Sequence, residues 1–196
     1  TAAFGDNLIK KAHQLANSVE LTEAEAEQLQ RLGEYLNYNG YGESLSELHF
    51  HPAELYKEIE PYSNPLDFIA ESDVFTKLAS GFNDDMSRVK SLHPLMSDDR
   101  CAAYLLPGTP WARRVSGNFA NKLANENPGC AHAVITTNHS GDYTVSVRAS
   151  LVNPQGADVL CLQFGTGGGR KAAAGINHLP IGMLNYFVTR FKQHFG

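Results

Sequence analysis

No apolar run in this 196-residue chain approaches the roughly 20 residues that cross a bilayer, and no signal peptide is visible at its start. Cysteine is scarce. Cys101, Cys130 and Cys161 are an odd number without a Cys-x-x-Cys pattern, which argues against a disulfide framework and fits a reducing, cytoplasmic setting. Metal-ligand spacing is missing too: of eight histidines, none lies beside an aspartate in a spacing that suits a two-metal cluster. The nearest approach is His49-x-His51, but no carboxylate pattern supports it, and His51-Pro52 reads as the entry to a helix. Asp84-Asp85 and Asp98-Asp99 read as solvated turns and helix ends.

A global excess of positive charge is also lacking, since the net charge is −5. The balance is uneven along the chain. Residues 1–99 carry 7 Lys and Arg against 18 Asp and Glu, a net of −11, whereas residues 100–196 carry 9 against 3, a net of +6. Local potential rather than total charge attracts a polyanion, so the second part remains a candidate for phosphate or nucleic acid. With 42% apolar residues the chain has enough hydrophobic surface for one large core or two smaller ones.

Hydrophobic periodicity divides the chain at the same place. Leu8, Ala12, Leu15 and Val19 recur at helical spacing. Thr22 with Glu25 forms a capping box that opens a helix carrying Leu29, Leu32 and Leu36. Asn37 to Gly42 breaks the pattern, Pro52 and Pro65 each suit a first helical position, and a longer helix is expected over Val74–Val89. The tyrosines at 35, 38, 41, 56 and 62 offer either a base-stacking surface or core contacts.

Beyond Asp99 the period shortens. Cys101–Leu106 and Ala131–Thr136 read as apolar strands around a helix that buries Val115, Phe119 and Leu123. In the next strand Tyr143, Val145, Val147, Ala149 and Leu151 alternate with Thr144, Ser146, Arg148 and Ser150, which places Arg148 on the polar face. A short helix, a strand over Ala173–His178, and a final helix marked by Ile181, Leu184, Phe187, Val188, Phe191 and Phe195 complete the order. The expected fold class is α/β, with a helical region over 1–99 followed by a small mixed sheet with flanking helices over 100–196.

Within that second part, Gly167-Gly168-Gly169-Arg170-Lys171 has the composition of a backbone-lined anion loop. Glycine lets the main chain approach a ligand, so that successive N–H groups can point into one concavity, and the two cations supply full charges. The segment extended to Ala172-Ala173-Ala174-Gly175 resembles the Gly-Gly-Gly-His-x-x-Ala-Ala-Gly hallmark of the accessory domain in DHH phosphoesterases. Arg170 stands where the family has histidine. Ser146-Val147-Arg148 matches the family's Ser-x-Arg strand, and Arg113 to Ala120 its preceding helix.

The resemblance implies that Arg148, Gly167, Gly168, Gly169, Arg170 and Lys171 hold the phosphate of single-stranded nucleic acid, an oligonucleotide or a small phosphorylated nucleotide, with Arg113 or Arg114 steering the rest of the strand. Arginine in place of histidine keeps a forked donor and a permanent charge while changing selectivity. Hydrolysis in the family needs an N-terminal catalytic domain with an Asp-His-His triplet and divalent metal, most often manganese. This chain has no such triplet and opens on Thr1. It is therefore expected to be a fragment that lacks its catalytic partner domain, carries no cofactor of its own and is inactive alone. Two other readings stand beside this one. Arg170-x-x-Ala173-x-Gly175 brushes against the pyrophosphate loop of coenzyme A-dependent acetyltransferases of the GNAT type, and a basic face would also suit a protein-docking module.

Overall fold

The computed structural model describes all residues, 1–196, as two compact units, Thr1–Met86 and Ser87–Gly196. Neither contains a helix long and apolar enough to cross a membrane.

The first unit is helical: α1 (Ala2–Gly5), α2 (Ile9–Ser18), α3 (Glu23–Tyr38), α4 (Pro52–Ile59), α5 (Pro65–Glu71) and α6 (Asp73–Val89). Its start signals are chemical. The Thr22 hydroxyl accepts from the Glu25 amide while the Glu25 carboxylate takes the Thr22 amide, so two otherwise orphaned donors are satisfied reciprocally at the head of α3. Pro52 and Pro65 occupy first-turn positions of α4 and α5. The stripe expected on α2 is not its buried face. Ala12 and Ala16 are buried and Ile9 packs half-buried against the same cluster, whereas Leu15 and Val19 are more than half exposed.

Tyr38 is fully buried, and its hydroxyl donates to Asp85 Oδ2 at 2.5 Å while lying 2.6 Å from His49 Nε2. Asp85 is thus a buried acceptor and not part of a solvated turn. Tyr35 packs in the same core as Leu32, Phe68 and Leu78, so neither Tyr35 nor Tyr38 offers a face for stacking.

In the second unit a mixed six-stranded sheet runs in the order β1-β2-β3-β4-β6-β5. In chain order the elements are β1 (Met96–Ser97), β2 (Cys101–Leu106), α7 (Pro110–Glu126), β3 (Ala131–Thr137), β4 (Tyr143–Arg148), α8 (Ala157–Cys161), β5 (Gly167–Arg170), β6 (Ala173–Leu179) and α9 (Leu184–Phe195). β2 and β3 are parallel, joined through α7, and the other pairs are antiparallel.

Strand alternation divides the two faces. Cys101, Ala133, Ile135, Val145, Val147, Ala174 and Ile176 point into a core with Leu160 and Cys161 of α8 and Phe187 and Phe191 of α9. Burial pushes the Cys101 and Cys161 thiols up to about 11 and about 12, so both behave as small protonated hydrophobes. On the opposite face α7 covers β2, β3 and β4, with Phe119 set edge-on against Tyr104. β4 stops at Arg148. The Ser150 hydroxyl donates to Pro128 O and accepts from the Val152 and Asn153 amides, a turn that ends the ladder and leaves Leu151 exposed instead of continuing the apolar face.

The glycine segment is an edge strand and not a loop. A Cβ at Gly167 would collide with the Cys161 carbonyl oxygen, and Gly169 has φ +141° with the Ala174 backbone against it. Gly168 differs, because a Cβ there would meet nothing within 4 Å. Gly167→Ala is therefore expected to lower the thermal midpoint by many degrees or abolish soluble expression. Gly168→Ala should leave it within about 2 °C, since a surface change free of clash falls within about 0.5 kcal/mol. Differential scanning calorimetry of both variants checks the contrast.

Candidate anion-binding face

The sheet registers bring the sequence-predicted cations together. Arg148 of β4 pairs with Ala173 of β6, which pairs in turn with Arg170 of β5. Directly opposed residues share a face, so both arginines stand on the α7 side of the sheet, toward the edge that α7 leaves uncovered, two strand spacings or about 10 Å apart. Two long guanidinium side chains at that separation can converge on one phosphate. Lys171 follows in the exposed turn, whose carbonyl groups are engaged: Lys171 O accepts from Ala157 and Ala172 O from Ala149. Neither Arg170 nor Lys171 forms an ion pair within the chain.

Arg148 is half-buried and held in place. Its Nε donates to Asn121 Oδ1 at 2.8 Å and its Nη1 to Val147 O at 3.2 Å. Asn121 does not stand out as a site residue in the sequence, although Arg114, Asn118, Asn121 and Asn125 recur at i, i+4, i+7 and i+11 and form a polar stripe along α7. Arg113 is spent elsewhere. It is buried, with Nη1 donating to Thr137 O at 3.2 Å and Nη2 2.9 Å from His139 Nε2, so it fastens the end of β3. Of the two arginines only Arg114 lies on the half-exposed side.

The glycine N–H groups do not form the expected concavity. Successive amides in a strand point to opposite edges, and the Gly167 amide donates to Phe164 O at 2.8 Å. What Gly168 and Gly175 supply instead is a bare floor. Together with Ser146 they form the row next to the arginines, and Gly175 is required there because a Cβ would lie 2.8 Å from Val145 O.

A further residue extends the arginine row inward. His132 of β3 is the cross-strand partner of Arg148, is 2% exposed, and its Nδ1 has no partner. Burial pushes its imidazole below the usual value of 6.5, opposed by a backbone hydrogen bond to Cys130. It is neutral beside the arginine at physiological pH. Alternation along β3 would have placed it on this face.

The histidine pair is divided by the structure: His51 accepts from the Ala53 amide as the N-cap of α4, and His49 meets Tyr38. Nowhere do three His, Cys, Asp or Glu side chains gather so as to hold a metal ion. The donors on the sheet face are cations and hydroxyls, which suit an anion. Arg170 to Gly175 runs through a turn into β6, with no helix N-terminus to face a pyrophosphate as an acetyltransferase loop requires.

No protein-family model and no curated protein matches this sequence. Solved structures do. The pGpG-specific phosphodiesterase PggH of Vibrio cholerae aligns over 98% of this chain and 68% of its own, with a TM-score of 0.62 at 13% identity. RecJ of Thermus thermophilus, in complex with Mg2+, aligns over 98% of this chain and 28% of its own, with a TM-score of 0.57 at 15% identity. A manganese-bound exonuclease RecJ aligns over the whole chain and 47% of its own length, with a TM-score of 0.54 at 16% identity. The structural neighbours are thus DHH-family phosphoesterases, and the fold is the one they share over the aligned region. The chain spans less than half of either RecJ structure.

Buried neutral His132 has a consequence for stability. The unfolded chain takes up a proton as pH falls through about 6.5, whereas the folded chain resists until lower pH. Stability should therefore decline from pH 6.5 downward and level off once the folded imidazole also charges. Urea midpoints measured between pH 7.5 and 5 should fall less steeply in His132→Gln than in the unsubstituted chain.

Proposed function

We propose that this chain is the substrate-binding portion of a DHH-family phosphoesterase and that it holds a terminal phosphate of single-stranded nucleic acid, an oligonucleotide or a small phosphorylated nucleotide. The observation that carries the reading is the row Arg148–Ala173–Arg170, two arginines on one sheet face, the first at the margin of α7 and the second on the edge strand beyond it, beside Lys171. Asn121 and Val147 O hold the Arg148 guanidinium in a set orientation. Arg170 closes from the edge strand, and a phosphate held between two guanidinium groups receives forked, charge-assisted hydrogen bonds. Ser146 adds a hydroxyl in the adjoining row, and Lys171 with Arg114 attracts the remaining backbone charges through a field that weakens with salt.

Bond cleavage in this reading belongs to a metal-bearing domain elsewhere on the polypeptide, with a divalent ion, manganese by the resemblance, supplying Lewis acidity and an activated water. The residues of this chain bind and orient the phosphate end, and alone they leave it intact.

A titration at low salt with short 5′-phosphorylated oligonucleotides, mononucleotides and coenzyme A tests the assignment. Binding of the phosphorylated oligonucleotide should weaken at least tenfold in Arg148→Ala and in Arg170→Ala, because each charge-assisted contact is worth about 1.5–3 kcal/mol. The slope of log K against log salt should shrink by about one for each lost contact. Equal affinity in both variants, or tight coenzyme A binding with none for the oligonucleotide, would overturn it.

A further inference from the structure

The uncovered face carries more than its arginines. Moving along β6 from the arginine row at Ala173, the next row outward is Ser146, Gly175 and Gly168, and the one beyond it is Thr144 with Asn177. Here β6 contains a bulge: Val145 pairs with Ile176 but Tyr143 pairs with Leu179, so Asn177 and His178 both oppose Thr144. Ile176 and Leu179 are fully buried, and the two residues between them are exposed.

Hydroxyls of Thr144 on β4 and of Thr166 just before β5 clamp this irregularity. Thr144 Oγ1 donates to Asn177 O at 3.2 Å, Thr166 Oγ1 donates to His178 O at 3.1 Å, and the His178 amide donates back to Thr166 Oγ1 at 2.8 Å. The backbone is thus fixed, while neither the Asn177 amide group nor the His178 ring hydrogen-bonds within the chain. Bulges of this kind re-aim side chains beside binding sites. From Ala173 to Asn177 is four residues of strand, about 13 Å. Between them lies Gly168, the one glycine of the run for which packing gives no reason.

We propose that the β6 bulge is the specificity element of this face: with the terminal phosphate on Arg148 and Arg170, the sugar lies over the Gly168–Gly175 floor and Asn177, flanked by His178, reads the edge of a purine base. The inference rests on the phosphate-binding reading above. A carboxamide offers a donor and an acceptor side by side, the pattern that pairs with a purine edge, and a pyrimidine extends less far from its sugar. A side chain at Gly168 would stand where the sugar lies.

The experiment compares adenosine and guanosine 5′-monophosphate with ribose 5-phosphate on the full chain by calorimetric titration. The substituted chains are Asn177→Ala, Gly168→Val, Arg148→Ala and Arg170→Ala. At least one purine nucleotide should bind tenfold or more tighter than ribose 5-phosphate. That advantage should fall below threefold in Asn177→Ala and in Gly168→Val, with ribose 5-phosphate affinity unchanged in the former. An advantage that survives both substitutions, while the arginine variants still lose the phosphate, overturns the bulge assignment and leaves the phosphate site standing. Failure of every phosphate ligand to bind the unsubstituted chain overturns both. A Cβ at 168 meets nothing within 4 Å and valine suits a strand, and Asn177→Ala alters only an exposed side chain, so each variant is expected to fold.

Discussion

Gly167 lies so close to the carbonyl of Cys161 that no larger residue fits, and the position of the edge strand follows from that contact. The end of α8 presses on β5 from below, the Gly167 amide closes onto Phe164 O, and the strand is set in one register against β6. Arg170 is consequently opposite Ala173 and in line with Arg148. A slip of one residue would turn Arg170 toward the core side and bring Gly169 to the open face, because the side-chain period of a strand is two. The charge pair thus depends on a glycine whose own function is steric.

In the phosphate-binding reading proposed above, the two arginines meet a ligand on different terms. Arg148 has already given up much of its rotamer freedom to Asn121 and Val147 O, a cost of about 1.5–2 kcal/mol for so long a side chain that folding absorbs. Arg170 is exposed and forms no ion pair within the chain, so no charge of the chain itself fixes its guanidinium. His132, the cross-strand partner of Arg148, is neutral and so adds no charge that would repel the guanidinium.

Much of this was legible in the residues and some was not. The capping box at Thr22 and Glu25, the prolines at 52 and 65, the alternation through Tyr143–Arg148 and the phenylalanine stripe of α9 each carry a local physical signal, and each marks a real element. Gly167–Gly169 carries none, since three residues without side chains have no periodicity, and only the collision at Cys161 explains why they are extended. Asp85 looked solvated because its partner Tyr38 is 47 residues away in the chain. Asn121 and Asn177 are polar residues on polar surfaces. In the proposed reading their roles come from what the register sets beside them.

Strand alternation finally separates a core side from an open side within β5 and β6. Gly167, Gly169, Ala174 and Ile176 turn toward α8, α9 and the apolar core, where the free energy of burial resides. Gly168, Arg170, Ala173 and Gly175 turn to the opposite side, on strands beyond β2, β3 and β4, against which α7 packs. A sheet edge stabilised from one side only can keep its other side flat and nearly free of side chains, which is the surface a sugar and a planar base require. Covering that side with a helix, as α7 covers β2 to β4, would add apolar burial at about 25 cal/mol per Å2 and would close the face. The half-covered sheet is the compromise by which the fold keeps a charged, accessible floor on strands that the opposite core holds rigid.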